Sequence, residues 1–188
     1  MTAIQTSAPA VEPVSLEEAK AFLRVDHVSE DALVQALIAA ARTHVEALCG
    51  RKLIAQGWRV YVDALPEIGR IRLPVGPVLS VDAVTVYDKE GNGTELDAAD
   101  YLVDAAGIPP RIAFRRRPAV LREMNGIEID VTVGFGATSL DVPSPLRQAI
   151  LDLVADWYDH RGTGLDTAMM REPDRVVALV EPYRAVLL

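Results

Sequence analysis

From Ser29 to Gly50 the apolar residues Leu33, Val34, Leu37, Ile38, Ala41, Val45 and Leu48 recur at the spacing of one face of an α-helix. Gln35, Arg42, Thr43 and Glu46 fall opposite, so this helix is expected to have one dry side and one wet side. Ser29 is the expected cap, and Glu30 and Asp31 sit where the helix dipole favours anions. Gly50 can adopt the left-handed conformation that stops the helix, with Arg51 and Lys52 beyond it. A shorter helix is predicted over Val14 to Val25, where Ser15 and Glu18 stand at capping-box spacing. The connection from Arg24 to Val28 is brief, which predicts a helical hairpin. Each large aliphatic on such a face contributes roughly 1.5–3 kcal/mol when fully buried. Neither helix can bury its stripe alone.

After Arg51 the period changes from helical to alternating. Trp58, Val60 and Val62 alternate with Arg59, Tyr61 and Asp63, and Ile71, Leu73 and Val75 alternate with Arg70, Arg72 and Pro74. Val78 to Tyr87 is rich in β-branched residues and runs into Asp88-Lys89-Glu90-Gly91-Asn92-Gly93, a turn signal. Shorter strands are predicted at Tyr101–Asp104 and Arg111–Phe114. Ile127, Ile129, Val131 and Val133 alternate with Glu128, Asp130 and Thr132, the cleanest half-buried strand pattern in the chain. About six strands broken by frequent turns predict a small antiparallel sandwich or barrel-like unit.

Helical period returns at Ser144-Pro145, serine as the expected cap and proline at the first helical position. Leu146, Ala149, Ile150, Leu153, Val154, Trp157 and Tyr158 form a wide apolar face. A loop is expected from Arg161 to Glu172, then a short helix from Pro173 to Glu181 that Pro182 stops or kinks. The tail Tyr183-Arg184-Ala185-Val186-Leu187-Leu188 is apolar with no charged residue after it, which suggests docking into something. The predicted class is α+β. Two N-terminal and two C-terminal helices, residues 14–52 and 143–188, form one helical core, and residues 53–142 form an inserted β unit. Residues 1–13 are expected to be a flexible N-terminal arm.

At 188 residues the chain can bury one substantial core. No apolar run approaches the ~20 residues of a membrane helix, and the N-terminus lacks the basic start and apolar centre of a secretory signal. The single cysteine, Cys49, lies at the end of an apolar helix face and reads as a buried small hydrophobe. A formal charge of −8 argues against a protein that coats nucleic acid, since phosphate binding needs a basic surface. It leaves room for a protein that DNA slides past.

Catalytic and metal patterns are thin. Asp156 and His160 are four residues apart and could touch one ion, but a third ligand is missing from the sequence pattern, and His27 and His44 have no such partner. Asp82, Asp88, Asp97, Asp100 and Asp104 cluster near the strand turns, where turn acids that solvate loops account for them; their spacing fits no calcium loop. Gly91-Asn92-Gly93 and Gly134-Phe135-Gly136 lack the setting of a phosphate loop, and no Gly-x-Ser-x-Gly elbow is present. No cofactor or metal is expected. Arg115-Arg116-Arg117, with Arg111 and Arg122 nearby, is the one basic concentration. It suits the carboxylates of a neighbouring subunit, DNA phosphate, or an exposed loop that balances local acids.

The run Pro13-Val14-Ser15-Leu16-Glu17-Glu18-Ala19-Lys20-Ala21-Phe22-Leu23-Arg24-Val25-Asp26, followed by Glu30-Asp31-Ala32-Leu33 and Ile38-Ala39-Ala40-Ala41-Arg42, resembles the opening of the phage head–tail connector (adaptor) family. The likeness continues through Val45-Glu46-Ala47, Gly50-Arg51, Leu73-Pro74-Val75-Gly76-Pro77-Val78 and Ser80-Val81. It resumes at Gly134-Phe135-Gly136, Val142-Pro143-Ser144-Pro145-Leu146-Arg147-Gln148-Ala149-Ile150-Leu151, Trp157-Tyr158 and Glu181-Pro182-Tyr183-Arg184. The N-terminal arm and Arg122–Asn125 lie outside it. Larger members with a β insertion, as in long-tailed phages, prophages and gene transfer agents, are the most similar.

The resemblance implies a non-enzymatic homo-oligomer, a ring of usually twelve copies docked beneath the portal protein. Such a ring joins the capsid to a stopper or tail-completion protein and leaves a channel through which DNA passes without specific binding. It implies a place at the neck of a virion or phage-like particle, assembled in the bacterial cytoplasm, with no membrane contact. By analogy Tyr183, Arg184, Val186, Leu187 and Leu188 are expected at the portal, and Arg111, Arg115, Arg116 and Arg117 at a subunit interface. At the level of the residues alone, a small hydrolase using the turn carboxylates and a monomeric binding module also remain open.

Overall fold

A computed structural model describes residues 1–117, 121–160 and 173–185. The Ser15 capping box forms as expected. The Glu18 amide donates to Ser15 Oγ at 3.1 Å and the Ser15 amide to a Glu18 carboxylate oxygen at 2.9 Å. It starts helix α1, Leu16–Leu23, which Arg24 ends in the left-handed conformation. Helix α2, Asp31–Cys49, begins without a side-chain cap. Ser29, expected there, instead places its hydroxyl 2.8 Å from His27 Nδ1. The left-handed Gly50 closes α2, its amide donating to the Glu46 carbonyl at 2.9 Å.

The buried residues of α2 are Val34, Ile38, Ala41, Val45, Glu46 and Cys49. Leu33, expected on the dry side, is exposed, and Glu46, expected on the wet side, is buried. The dry face is therefore rotated toward residues 34, 38, 41, 45 and 49. By length and composition α2 could cross a membrane, contrary to the expectation that nothing approaches that length. In the fold it is a core helix, packed on helix α3, Ser144–Asp159.

Pro143 rather than Ser144 holds the capping position of α3, so serine and proline occupy its first two helical positions. The face of α3 that carries Leu146, Ala149, Ile150, Leu153 and Val154 meets α1, α2 and helix α4, Asp174–Val180. Together with Val14, Leu53, Ile54 and Val142 these helices enclose one apolar cluster. Leu53, Ile54 and Val142, placed in the β unit by sequence, are thus buried among helices. The expected loop from Arg161 to Glu172 lies outside the described residues except at its neighbours.

The β residues form two antiparallel sheets. Strand β1, Thr2–Ser7, pairs with β2, Gln56–Val62, which pairs with β8, Ile127–Val133; β8 pairs in turn with β4, Val78–Tyr87, and β4 with β5, Gly93–Glu95. The second sheet has the order β3, β7, β6, from Arg70–Arg72, Arg111–Phe114 and Tyr101–Asp104. Residues 1–13 therefore do not form a free arm, because β1 completes the edge of the larger sheet beside β2. A TAIQTS strand lacks the apolar alternation that would announce it. The β3 strand is also shorter than expected, since Leu73 and Val75 are buried beyond its end.

Strand β8 occupies the centre. Ile129 lies opposite Val60 on one side and Val84 on the other. Its apolar face joins Val60, Val62, Ile71 and Ile112 in a second cluster shared by both sheets. Its polar face is bonded across the strands. Arg59 lies opposite Asp130 and grips it with two hydrogen bonds of 2.6 and 2.8 Å, while Tyr87 donates to Glu128 at 3.0 Å.

The buried Glu46 carboxylate joins the two clusters. It accepts from the Leu53 amide at 3.1 Å and from Gln56 Nε2 at 3.2 Å, and pairs with Lys52 Nζ at 3.1 Å and Arg42 at 3.5 Å. Gln56 Oε1 then accepts from Gln5 of β1 at 2.9 Å and from Trp58 Nε1 at 3.1 Å. One carboxylate thus ties α2 to the chain leading into β2, and through Gln56 to β1. Truncation would leave the buried Leu53 amide without its acceptor and Lys52 without its carboxylate, whereas Arg42 keeps Glu12 and Gln56 Nε2 keeps the Ile54 carbonyl. Glu46→Ala is expected to cost about 3–5 kcal/mol, the range for breaking a buried ion pair. Urea denaturation checks this, with Glu12→Ala, which removes an outer partner of Arg42, as a milder control.

Candidate functional site

No convergent catalytic arrangement emerges from the carboxylates and histidines that sequence singled out. His160 Nδ1 lies 2.7 Å from the Asp156 carbonyl oxygen and 3.6 Å from its carboxylate, a local helix-end contact. Among the described residues no three histidines, cysteines or carboxylates gather in a way that could hold a metal ion. His44 packs edge-on against Trp157, with ring centres 5.7 Å apart. Burial pushes the Cys49 thiol up, away from the reactive thiolate.

The turn aspartates are held in their own loops. Asp82 accepts from Ser80 and Thr132, Asp88 from Asn92, and Asp97 from the Ala99 amide. Asp104 takes Arg111 Nε at 2.8 Å and the Gly107 amide at 3.0 Å. Hydrogen bonds from Asn92 hold the Asp88 carboxyl below its ordinary range, and Arg111 first, then Gly107, does the same for Asp104. A general acid needs the opposite shift.

Gly134-Phe135-Gly136 serves backbone packing rather than phosphate. Gly134 has φ +141°, and a Cβ there would meet the Ile54 carbonyl carbon at 2.6 Å. This close approach lets the Phe135 amide donate to the Leu53 carbonyl at 2.9 Å and the Ala55 amide to the Gly136 carbonyl at 2.8 Å.

Two described surfaces carry the contact residues expected from the sequence. One is the basic end of the smaller sheet. Arg111 is engaged by Asp104, and Arg117 donates to the Leu65 carbonyl at 3.0 Å, whereas Arg115 and Arg116 are exposed just beyond β7. The four arginines are therefore brought to one end of a sheet but not to one contact.

The other is the C-terminal segment. Buried Asp152 on α3 accepts from Gln148 at 3.0 Å and meets Arg175 at 3.3 Å, which fixes α4. A single turn of 3-10 helix, Glu181–Tyr183, follows, with Tyr183 half-buried against the helical cluster and Arg184 exposed. The Ala185 amide then donates to the Cys49 carbonyl at 2.8 Å, at the end of α2. The expected portal residues Val186, Leu187 and Leu188 lie outside the described residues.

Sequence reasoning missed the roles of Glu46 and Gln56, which organise this end of α2. A signal for Glu46 existed: it is four residues after Arg42, six before Lys52, and adjacent to the buried stripe.

The described residues form a helical core joined to antiparallel sheets. The sequence profile of the family described as "Phage gp6-like head-tail connector protein" matches residues 13–107, and the chain belongs to that family. Among solved structures it is similar to a chain in "Neck of empty GTA particle computed with C6 symmetry", with a TM-score of 0.83 and 29% identity over 100% of this chain and 97% of that one. A chain in "Virion of native gene transfer agent (GTA) particle" gives 0.83 and 28%, again over 100% of this chain and 97% of that one. One in "Neck of native GTA particle computed with C12 symmetry" gives 0.82 and 27% over the same shares. No curated protein matches.

The Asp104–Arg111 pair gives a pH prediction. A carboxyl held below its ordinary pKa of 3.8 contributes stability above that value and loses it as pH falls through the lower folded value. Urea midpoints measured from pH 6 to pH 2.5 should therefore fall less steeply below about pH 4 for Asp104→Asn than for the unaltered chain.

Proposed function

We propose that this chain is a ring-forming head–tail connector that makes and breaks no covalent bond. In this reading twelve copies dock beneath the portal protein of a phage-like particle and join the capsid to a stopper or tail-completion protein, at the neck of a virion assembled in the bacterial cytoplasm. The observation that carries the reading is the similarity along the whole chain to chains from gene transfer agent necks, one of them computed with twelvefold symmetry. Membership of the connector family supports it independently.

Charge fits a conduit for DNA. Twelve copies at −8 each would carry on the order of a hundred negative charges, so a bore lined by part of them would repel phosphate and let the duplex slide. A lysine-lined bore would hold phosphate through counterion release.

Tyr183, Arg184, Val186, Leu187 and Leu188 are assigned to the portal contact. The support is their position after the last helix, on a segment that ends its described course at the surface end of α2. Cryo-EM of purified particles should place this chain at the portal–tail junction. Deleting residues 184–188 should leave the circular dichroism spectrum unchanged and abolish capsid–tail joining; normal joining by the deleted chain rejects the portal assignment.

Arg111, Arg115, Arg116 and Arg117 are assigned to a subunit interface. The exposed Arg115 and Arg116 reach the neighbour's carboxylates, while Arg111 and Arg117 hold the sheet end through Asp104 and Leu65. Reversing Arg115 and Arg116 to glutamate should reduce ring incorporation at least tenfold, about 1.4 kcal/mol, with the thermal midpoint unchanged. Incorporation counted by particle mass spectrometry tests it.

A further inference from the structure

The smaller sheet has β7 in the middle and two outer strands, β3 on one side and β6 on the other. The Phe114 amide donates to the Gly69 carbonyl and the Leu73 amide to the Pro110 carbonyl. Bonded and non-bonded pairs alternate along an antiparallel ladder. Ile71 therefore faces β7, and the backbone N–H and C=O groups of Arg70 and Arg72 point away from it. On the other side the Arg115 amide donates to the Asp100 carbonyl, so Leu102 and Asp104 face β7 and the backbone groups of Tyr101 and Val103 point outward. No turn, loop or cap hydrogen bond among the described residues takes up the outward groups of Tyr101 and Val103. Outer strands are commonly blunted by lysine, proline or a bulge. Strand β6 has none of these, and its Leu102 and Val103 are 54% and 41% exposed.

Charge decides what can pair there. One cross-strand row runs Arg72, Arg111, Asp104, so the β3 edge ends in a cation beside another cation and the β6 edge ends in a carboxylate. Two β3 edges brought together would set arginine against arginine. Two β6 edges in full antiparallel overlap would set Asp104 against Asp100. Like charges directly opposite are destabilising, whereas unlike charges there are favourable.

We propose that β6 of each copy adds to β3 of the next copy, so that the smaller sheets run on from subunit to subunit. The proposal deepens the ring reading above and rests on it. Strands β3 and β6 are both antiparallel to β7, so a continued sheet pairs them parallel. Val103 and Ile71 already share one row and hence one face, which sets Val103 beside the neighbour's Ile71. The Val103 N–H then meets the carbonyl of the neighbour's Arg70, and its C=O meets the N–H of the neighbour's Arg72. Asp104 comes to lie between Arg111 of its own chain and the neighbour's Arg72. Such a contact joins two different edges, so it is head-to-tail and can close into a ring.

The test counts copies of the full chain per particle by mass spectrometry, in particles that lack the unaltered copy. Val103→Pro removes an outward N–H and no bond to β7. Incorporation should fall roughly tenfold or more, with the thermal midpoint of the free chain unchanged. R72D and D104R each set like charges against one another across the contact, so each should fail alone. Expressed together they can alternate around an even-numbered ring with every contact complementary, and incorporation should return. Undiminished incorporation of Val103→Pro, or mixed copies that incorporate no better than either alone, would overturn the edge contact and leave the ring reading standing. Absence of the unaltered chain from the neck would overturn both.

Discussion

The helical and sheet clusters are joined through a carboxylate that water barely reaches. Glu46 sits on α2 beside the apolar stripe, and its two oxygens take up a backbone amide, a glutamine and two cations. Such an arrangement persists only when every charge and donor is answered, because desolvation of an unpaired carboxylate would exceed what packing returns. The consequence is geometric. Residues 52–56 cannot leave α2 in any other direction while Lys52, Leu53 and Gln56 all point back at Glu46. Since Gln56 begins β2, the direction of the larger sheet is set from inside the helical core. Arg42 extends the same network to Glu12 at 2.7 Å, anchoring the chain just before α1.

The central strand β8 shows how one sheet serves two environments. Its alternate residues Ile127, Ile129, Val131 and Val133 are fully buried, and Glu128 and Asp130 face the other way. On that second face, Arg59 and Arg122 answer the acids, and Arg122 also lies over the Tyr87 ring at 3.9 Å. Half-buried ion pairs of this kind fix register, because a slip of one residue would place aspartate against valine in the core. The chain is acidic overall, and Glu128 and Asp130 are answered by arginines on the sheet.

The last turn of α2 has a second task. Its carbonyl groups would be unsatisfied at a bare helix end. The Gly50 amide takes that of Glu46, and the Ala185 amide takes that of Cys49. The second bond draws the C-terminal segment back across the molecule to the junction of helices and sheets, beside Leu73–Pro77 and Phe135. The helix end that carries Glu46 therefore also holds the start of the C-terminal segment, through the Cys49 carbonyl.

Sequence by itself determined the elements whose signals are local. Ser15 and Glu18 announce α1 because a capping box is complete within four residues, and the alternation of β8 is visible because one face is uniformly aliphatic. The exposed arginines after β7 were legible as a local basic run for the same reason, and the family likeness followed from the order of such pieces. Tertiary structure decided what local signals could not carry. Strand β1 is made by pairing with β2, so its polar TAIQTS sequence holds no trace of it. Glu46 is buried because partners 6 to 10 residues onward fold back on it, and no helical period can foresee that. A cleft beside Arg51 exists only where segments near residues 50, 75, 108, 135 and 185 converge. Sequence period reports how each residue relates to its near neighbours; contacts between distant segments are set by how the elements close on one another.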